Sequence, residues 1–136
     1  MKTCMRRFLK ILLVELEDLE NDIEELVLGE HSRLAARLES DFVCMENVAT
    51  LHNEEHGLHH FRRIMEAIDL NRFTDLDVLI AHLKEAFSAE VDRCGLARAA
   101  YVFTVRKMQH VEKYIKETDH WRRLHTSSTG GRQEQG

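Results

Sequence analysis

Glu90-Val91-Asp92-Arg93-Cys94-Gly95-Leu96-Ala97-Arg98-Ala99-Ala100-Tyr101 is the stretch on which the helix count turns. An apolar seam in alternating steps of four and three leads into it through Leu76, Ile80, Leu83 and Phe87. It crosses at Glu90, Cys94, Ala97 and Tyr101 and leaves through Thr104, Met108, Val111 and Ile115. Such alternation marks one face of a helix. A turn ordinarily resets the phase, and here the phase passes Gly95 unchanged. An isolated glycine inside a helix costs only about 1 kcal/mol relative to alanine. The spacing therefore predicts one continuous helix from about Asp75 to Arg122, with a turn at Gly95 as the alternative.

Upstream, Leu9, Leu12, Leu16, Leu19, Ile23 and Leu26 repeat the same alternation and predict a first helix from about Thr3 to Leu28. Gly29 would cap its C-terminus and Ser32 would start the next helix. A second apolar series runs from Leu34, Leu38, Phe42, Met45, Val48 and Leu51 to Leu58, Phe61, Met65 and Ile68, a helix of about Ser32 to Ile68 with Gly57 as its weak point. Asp69 to Thr74 reads as a loop, and Thr74 with Asp77 resembles a capping box that opens the last helix.

The expected fold is all-α: an antiparallel bundle of three long helices in up-down-up order, or a four-helix up-down bundle if the chain turns at Gly95. Residues 1–125 form the domain. The polar tail 126–136 has nothing apolar to bury and is expected to be disordered. The unequal helix lengths would leave apolar seam uncovered, which predicts self-association, most simply as a two-fold dimer.

Charge placement favours the continuous last helix. Helix 1 is basic at its start (Lys2, Arg6, Arg7, Lys10) and acidic afterwards, from Glu15 to Glu25, against the sense of its own dipole. The end of the last helix is basic, with Lys113, Lys116, Arg122 and Arg123. A continuous helix would run parallel to helix 1 and set base beside acid, although exposed pairs contribute under about 1 kcal/mol each.

Composition narrows the function classes. The chain has 136 residues, no proline, six glycines, 43% hydrophobic and 32% charged residues, and a formal net charge of -5. At this length a single domain buries a modest core without staples. The negative balance gives no field to attract nucleic acid or anionic lipid. Cys4, Cys44 and Cys94 are odd in number and form no Cys-x-x-Cys pair, which fits a reducing, cytoplasmic setting. The basic-then-apolar start is interrupted by Lys10 and lacks a small-residue cleavage site, so it reads as a core-facing helix rather than a signal peptide. No run is long enough to span a bilayer.

The densest chemistry lies in Leu51-His52-Asn53-Glu54-Glu55-His56-Gly57-Leu58-His59-His60. On a helix, His52, Glu55, His56 and His59 fall at i, i+3, i+4 and i+7 and share a face. Imidazole and carboxylate ligands in that spacing suit a transition metal such as Zn or Fe, and bundle metal sites draw ligands from facing helices. His82, Glu90 and His110 are the candidates to complete such a site. Glu90 is notable because it occupies a seam position where an apolar residue is expected. The competing reading makes the cluster polar packing, with His56 and His60 facing water, Glu55 bonded to His52 or His59, and Glu90 paired with Arg93.

Ferritin-like di-iron bundles carry Glu-x-x-His on each of two helices, and this chain has one such pair, Glu117-x-x-His120. The His-x-x-x-Glu unit of hemerythrin-like domains and the His-Glu-x-x-His of metalloproteases are absent, as are a glycine-rich phosphate loop and a nucleophile elbow. The sequence leans away from enzyme activity. It points first to a helical interaction or regulatory module that acts through its helix surfaces, with a partner protein or a second copy. The alternative is a metal-binding bundle for storage, sensing or redox work.

Overall fold

The computed structural model describes residues 2–128, with the backbone alone for 125–128. It is built from α1 (Lys2–Ala35), α2 (Asp41–Glu66), a single 3-10 turn (Leu70–Arg72), α3 (Leu76–Cys94) and α4 (Arg98–Ser128). The chain turns at Gly95, so the continuous last helix is replaced by two and the four-helix alternative holds. Gly95 adopts φ +63 and ψ +38, and its N–H donates to the Val91 carbonyl. The Leu96 N–H reaches the same carbonyl at 3.1 Å. This is a left-handed C-terminal cap, which a residue without Cβ adopts at least cost. Val91 and Leu96, on either side of it, are both buried in the core.

The phase argument failed for an identifiable reason. The buried positions approaching the turn are Leu83, Phe87 and Val91, and those leaving it are Leu96, Ala100, Thr104, Met108, Val111 and Ile115. Glu90, Cys94, Ala97 and Tyr101 are only partly buried. They continue the old phase because each is a residue tolerated at the flank of a core stripe, while the true stripe shifts by one residue at the turn.

Cross-helix contacts fix the topology. Glu20 with Arg62 and Glu30 with Asn47 set α1 against α2 in opposite directions. Phe61 against Phe87 does so for α2 and α3, and Asp77 with Lys116 for α3 and α4. Glu15 pairs with Lys107 across α1 and α4, which closes an up-down-up-down bundle. The core joins Met5, Phe8, Leu12 and Leu16 of α1 to Leu58, Phe61 and Met65 of α2 and to the inner faces of α3 and α4. α2 and α4 touch across a diagonal because Gly57, inside an unbroken helix, faces Ala100. A Cβ added at Gly57 would lie 2.7 Å from the Ala100 Cβ, closer than any real contact.

Three further boundaries differ from expectation. Gly29 does not cap α1, which runs on to Ala35. There Arg37 takes the left-handed conformation, φ 59, and Leu38 N–H reaches the Arg33 carbonyl while Arg37 N–H reaches that of Leu34, the Schellman pattern. Ser40, not Ser32, is the N-cap of α2 and accepts from the Val43 N–H at 3.2 Å. Likewise Asp75 rather than Thr74 caps α3, accepting from Val78 N–H at 3.0 Å. The expected tail lies mostly outside the described residues, and α4 is helical through Ser128.

The helix lengths explain the shape. At about 1.5 Å per residue, the 34 residues of α1 extend well beyond the 19 of α3. With Glu15 opposite Lys107 and Gly57 opposite Ala100, the end of α1 and the start of α2 project past the α3–α4 turn as a two-helix hairpin. It is these two helices that overhang, where the sequence suggested that helix 1 would be the short one. Among the described residues, no helix is long and apolar enough to cross a membrane.

Two backbone substitutions separate strain from packing. Gly95→Ala has open space for its methyl group, so it should lower stability by about 1 kcal/mol through the left-handed backbone alone. Arg37→Gly should raise it by about 0.5 kcal/mol, since it relieves the same strain at an exposed site but adds freedom to the unfolded chain. Urea unfolding followed by circular dichroism measures both.

Candidate functional site

Helix geometry divides the histidine cluster. The buried ridge of α2 is Leu58, Phe61 and Met65, and Glu54 and Leu51 continue it one and two turns earlier, partly buried. Successive residues of a helix point about 100° apart, so side chains on either side of this ridge meet different neighbours. His59 lies on the α1 side, with Nε2 3.3 Å from Oε1 of Glu20. Glu20 is itself buried and accepts a 2.7 Å bond from the Arg62 guanidinium. His56 and His60 lie on the α3 side.

There the geometry is tight. His60 Nδ1 is 2.7 Å from Oε2 of Glu90, and His60 Nε2 is 3.2 Å from Nε2 of His56. The other Glu90 oxygen accepts from Nε and Nη2 of Arg93 at 3.0 and 2.7 Å. The His60 bond, then the Arg93 bond, hold the Glu90 carboxyl below the usual carboxylate range. A nitrogen of His60, an oxygen of Glu90 and the sulfur of Cys94 all lie within 4.8 Å of one another.

The expected metal set is therefore distributed over the bundle. Glu90 and His56 come together with His60; of the two histidines that the competing reading set facing water, His56 is exposed and His60 is partly buried. The expected Glu90–Arg93 pair also forms. His52 is exposed and Glu55 partly buried, and neither joins a cluster of potential ligands among the described residues. His82 packs on Phe73, with ring centroids 5.0 Å apart. His110 lines a surface groove with Ile11, Glu15 and Tyr114. The carboxylate that interrupts the apolar stripe of α2 is Glu54, between Leu51 and Leu58, and desolvation alone pushes its carboxyl up. The i, i+3 and i+7 relation of Leu51, Glu54 and Leu58 was the available signal.

A second cluster, unforeseen in sequence, sits inside the projecting hairpin. Buried Glu30 and buried Cys44 meet Glu39, with one ligand-type atom from each within 4.8 Å of the others. Glu30 also accepts from Asn47 at 3.1 Å and from Arg33. Its bond to Glu39 lowers the Glu30 carboxyl, helped by Asn47. The same bond, with burial, raises that of Glu39. The two carboxyls are thus driven in opposite directions, as close carboxylates are when both cannot readily ionise. The Cys44 thiol is pushed up by burial and then by Glu39, Glu30 and Asp41, so it is held protonated and poorly nucleophilic.

With the geometry in hand, comparison with known proteins adds no assignment: no family model, curated protein or solved structure matches this chain.

These opposite shifts have a signed consequence for stability. Glu39 is raised in the fold, so its contribution to stability is full below the ordinary carboxylate range and is lost as pH rises through its folded value. Glu30 is lowered, so its contribution is present above that range and lost as pH falls through its folded value. Glu39→Gln supplies a permanent donor to Glu30. The variant should match the parent in acid and become progressively more stable than it as pH rises toward neutrality, which urea midpoints across that range will report.

Proposed function

We propose that this protein is a non-enzymatic helical interaction module whose working surface is the projecting α1–α2 hairpin, and that its partner is a basic, amphipathic helix of another protein. The supporting observation is the exposure of large apolar side chains there. Leu26, Leu28, Leu38, Phe42, Val43 and Met45 are 43% to 74% exposed. Phe42 and Met45 are three residues apart on α2, so they line one stripe on the outer side of its first turns, and Leu38 stands exposed in the connecting turn before them. The hairpin buries little of its own, with Cys44 its principal apolar contribution to the interior.

Charge identifies the kind of partner. Residues 17–55 carry twelve acidic side chains against two arginines, in a chain whose total is only -5. Two copies pressed face to face through their hairpins would place like charge on like charge, which costs several kcal/mol at an interface. That argues against the two-fold dimer suggested by uncovered seam and for a partner that presents Lys or Arg around an apolar ridge. An amphipathic helix laid on an apolar stripe is an established recognition mode. Enclosed catalytic machinery is not needed for this role.

A labelled amphipathic Leu/Lys peptide and its Leu/Glu counterpart test the surface directly by fluorescence anisotropy. The Lys peptide should bind, weaken as salt is raised, and lose at least tenfold in affinity to a Phe42→Asp, Met45→Asp variant of unchanged helicity. Equal binding of the two peptides, or of the variant and the parent, overturns the proposal. Sedimentation of the parent alone distinguishes self-association.

A further inference from the structure

The α2–α3 flank carries a feature that the interaction surface does not use. An ionised carboxylate only accepts hydrogen bonds. With Glu90 Oε2 at 2.7 Å from His60 Nδ1, His60 presents Nδ1–H to it, and in the neutral ring Nε2 is then a lone pair. That lone pair lies 3.2 Å from Nε2 of His56, one helical turn earlier on the same flank, with the two rings nearly perpendicular. Zinc–nitrogen bonds of about 2.0 to 2.1 Å in tetrahedral geometry place neighbouring ligand nitrogens about 3.3 Å apart. The separation of the two imidazoles thus already matches two corners of a coordination sphere.

The surroundings suit a cation. A carboxylate on the remote nitrogen of a ligating histidine fixes its tautomer and raises its basicity, the usual outer partner in such sites. Glu90 lies in the last turns of α3, which ends at Cys94, where the negative end of the helix dipole favours positive charge. His56 is exposed and His60 partly buried, so an ion has a path from solvent. Arg93 binds the Glu90 oxygen that His60 does not use, so it holds the carboxylate without occupying the imidazole pair.

We propose that His56 and His60 chelate a divalent transition metal of zinc type through their Nε2 atoms, with Glu90 as the positioning residue for His60. Water completes the sphere. Binding shifts the His56 proton from Nε2 to Nδ1. The proposal is independent of the hairpin surface, which lies on the other side of the α3–α4 turn.

Untagged full-length protein, freed of metal by chelator, is titrated with Zn²⁺ by calorimetry and with Co²⁺ by absorption spectroscopy. The parent should bind one ion, and His56→Ala and His60→Ala should each weaken binding at least tenfold. Glu90→Gln should weaken it by about 10- to 100-fold while keeping metal-free helicity and lowering the metal-free melting temperature only slightly, a loss of affinity larger than a merely structural role gives. His59→Ala, on the opposite flank, should bind as the parent does. No uptake by the parent, or equal loss in His59→Ala and His60→Ala, overturns the site. Circular dichroism of each metal-free variant establishes that it is folded before its affinity is read.

Discussion

A single backbone angle organises the molecule. Gly95 at φ +63 lets α3 end with its carbonyls capped and sends α4 back along α1 and α2. Without that reversal Ala100 would not meet Gly57, and the diagonal contact that draws α2 and α4 together would be lost. The same turn places the C-terminal residues of α3 beside α2, so Glu90 meets His60 only because the chain stops and folds there. It also decides what remains outside the bundle. By ending α3 after 19 residues, it leaves the far half of the α1–α2 pair with no third or fourth helix to cover it.

How much of this was legible in sequence varies by feature. The all-helical class follows from composition and from seams in steps of four and three. The helix count did not follow, because Glu90, Cys94, Ala97 and Tyr101 imitate a continuous stripe while Phe87, Val91, Leu96 and Ala100 form the real one. Periodicity records which residues tolerate burial, and the angle at one glycine is a tertiary outcome. Glycine at 29 and glycine at 95 look alike in sequence. One lies inside a helix that continues, and the other ends a helix because Leu96 beyond it has a core to enter.

The site shows the same boundary between local and tertiary information. That histidines gather on α2 and that Glu90 is out of place could be read directly. Which histidine Glu90 would meet depended on the rotation of α2 about its axis, and that is fixed by Leu58, Phe61 and Met65 turning inward. An error of one residue in that ridge exchanges Glu55 for Glu54 and moves His60 from solvent to a partner. The Glu30–Glu39–Cys44 cluster lay beyond sequence reasoning because its members come from α1, the connecting loop and α2, and the true end of α1 falls later than its glycine suggested.

The polar interior of the hairpin also sets how the molecule comes apart. Cooperative unfolding units are held by buried apolar contact, and segments poor in it open at lower free energy than the body they extend. The four-helix body has Phe8, Phe61, Phe87 and Met108 fully buried at its centre. The hairpin offers a carboxyl pair, an asparagine and one thiol in the corresponding place. Its opening is therefore a separate event from the melting of the body, and the end of the rod can fray and re-form while the rest stays folded. A ligand that covers the outer stripe supplies the missing apolar contact and acts as the second half of that segment's core.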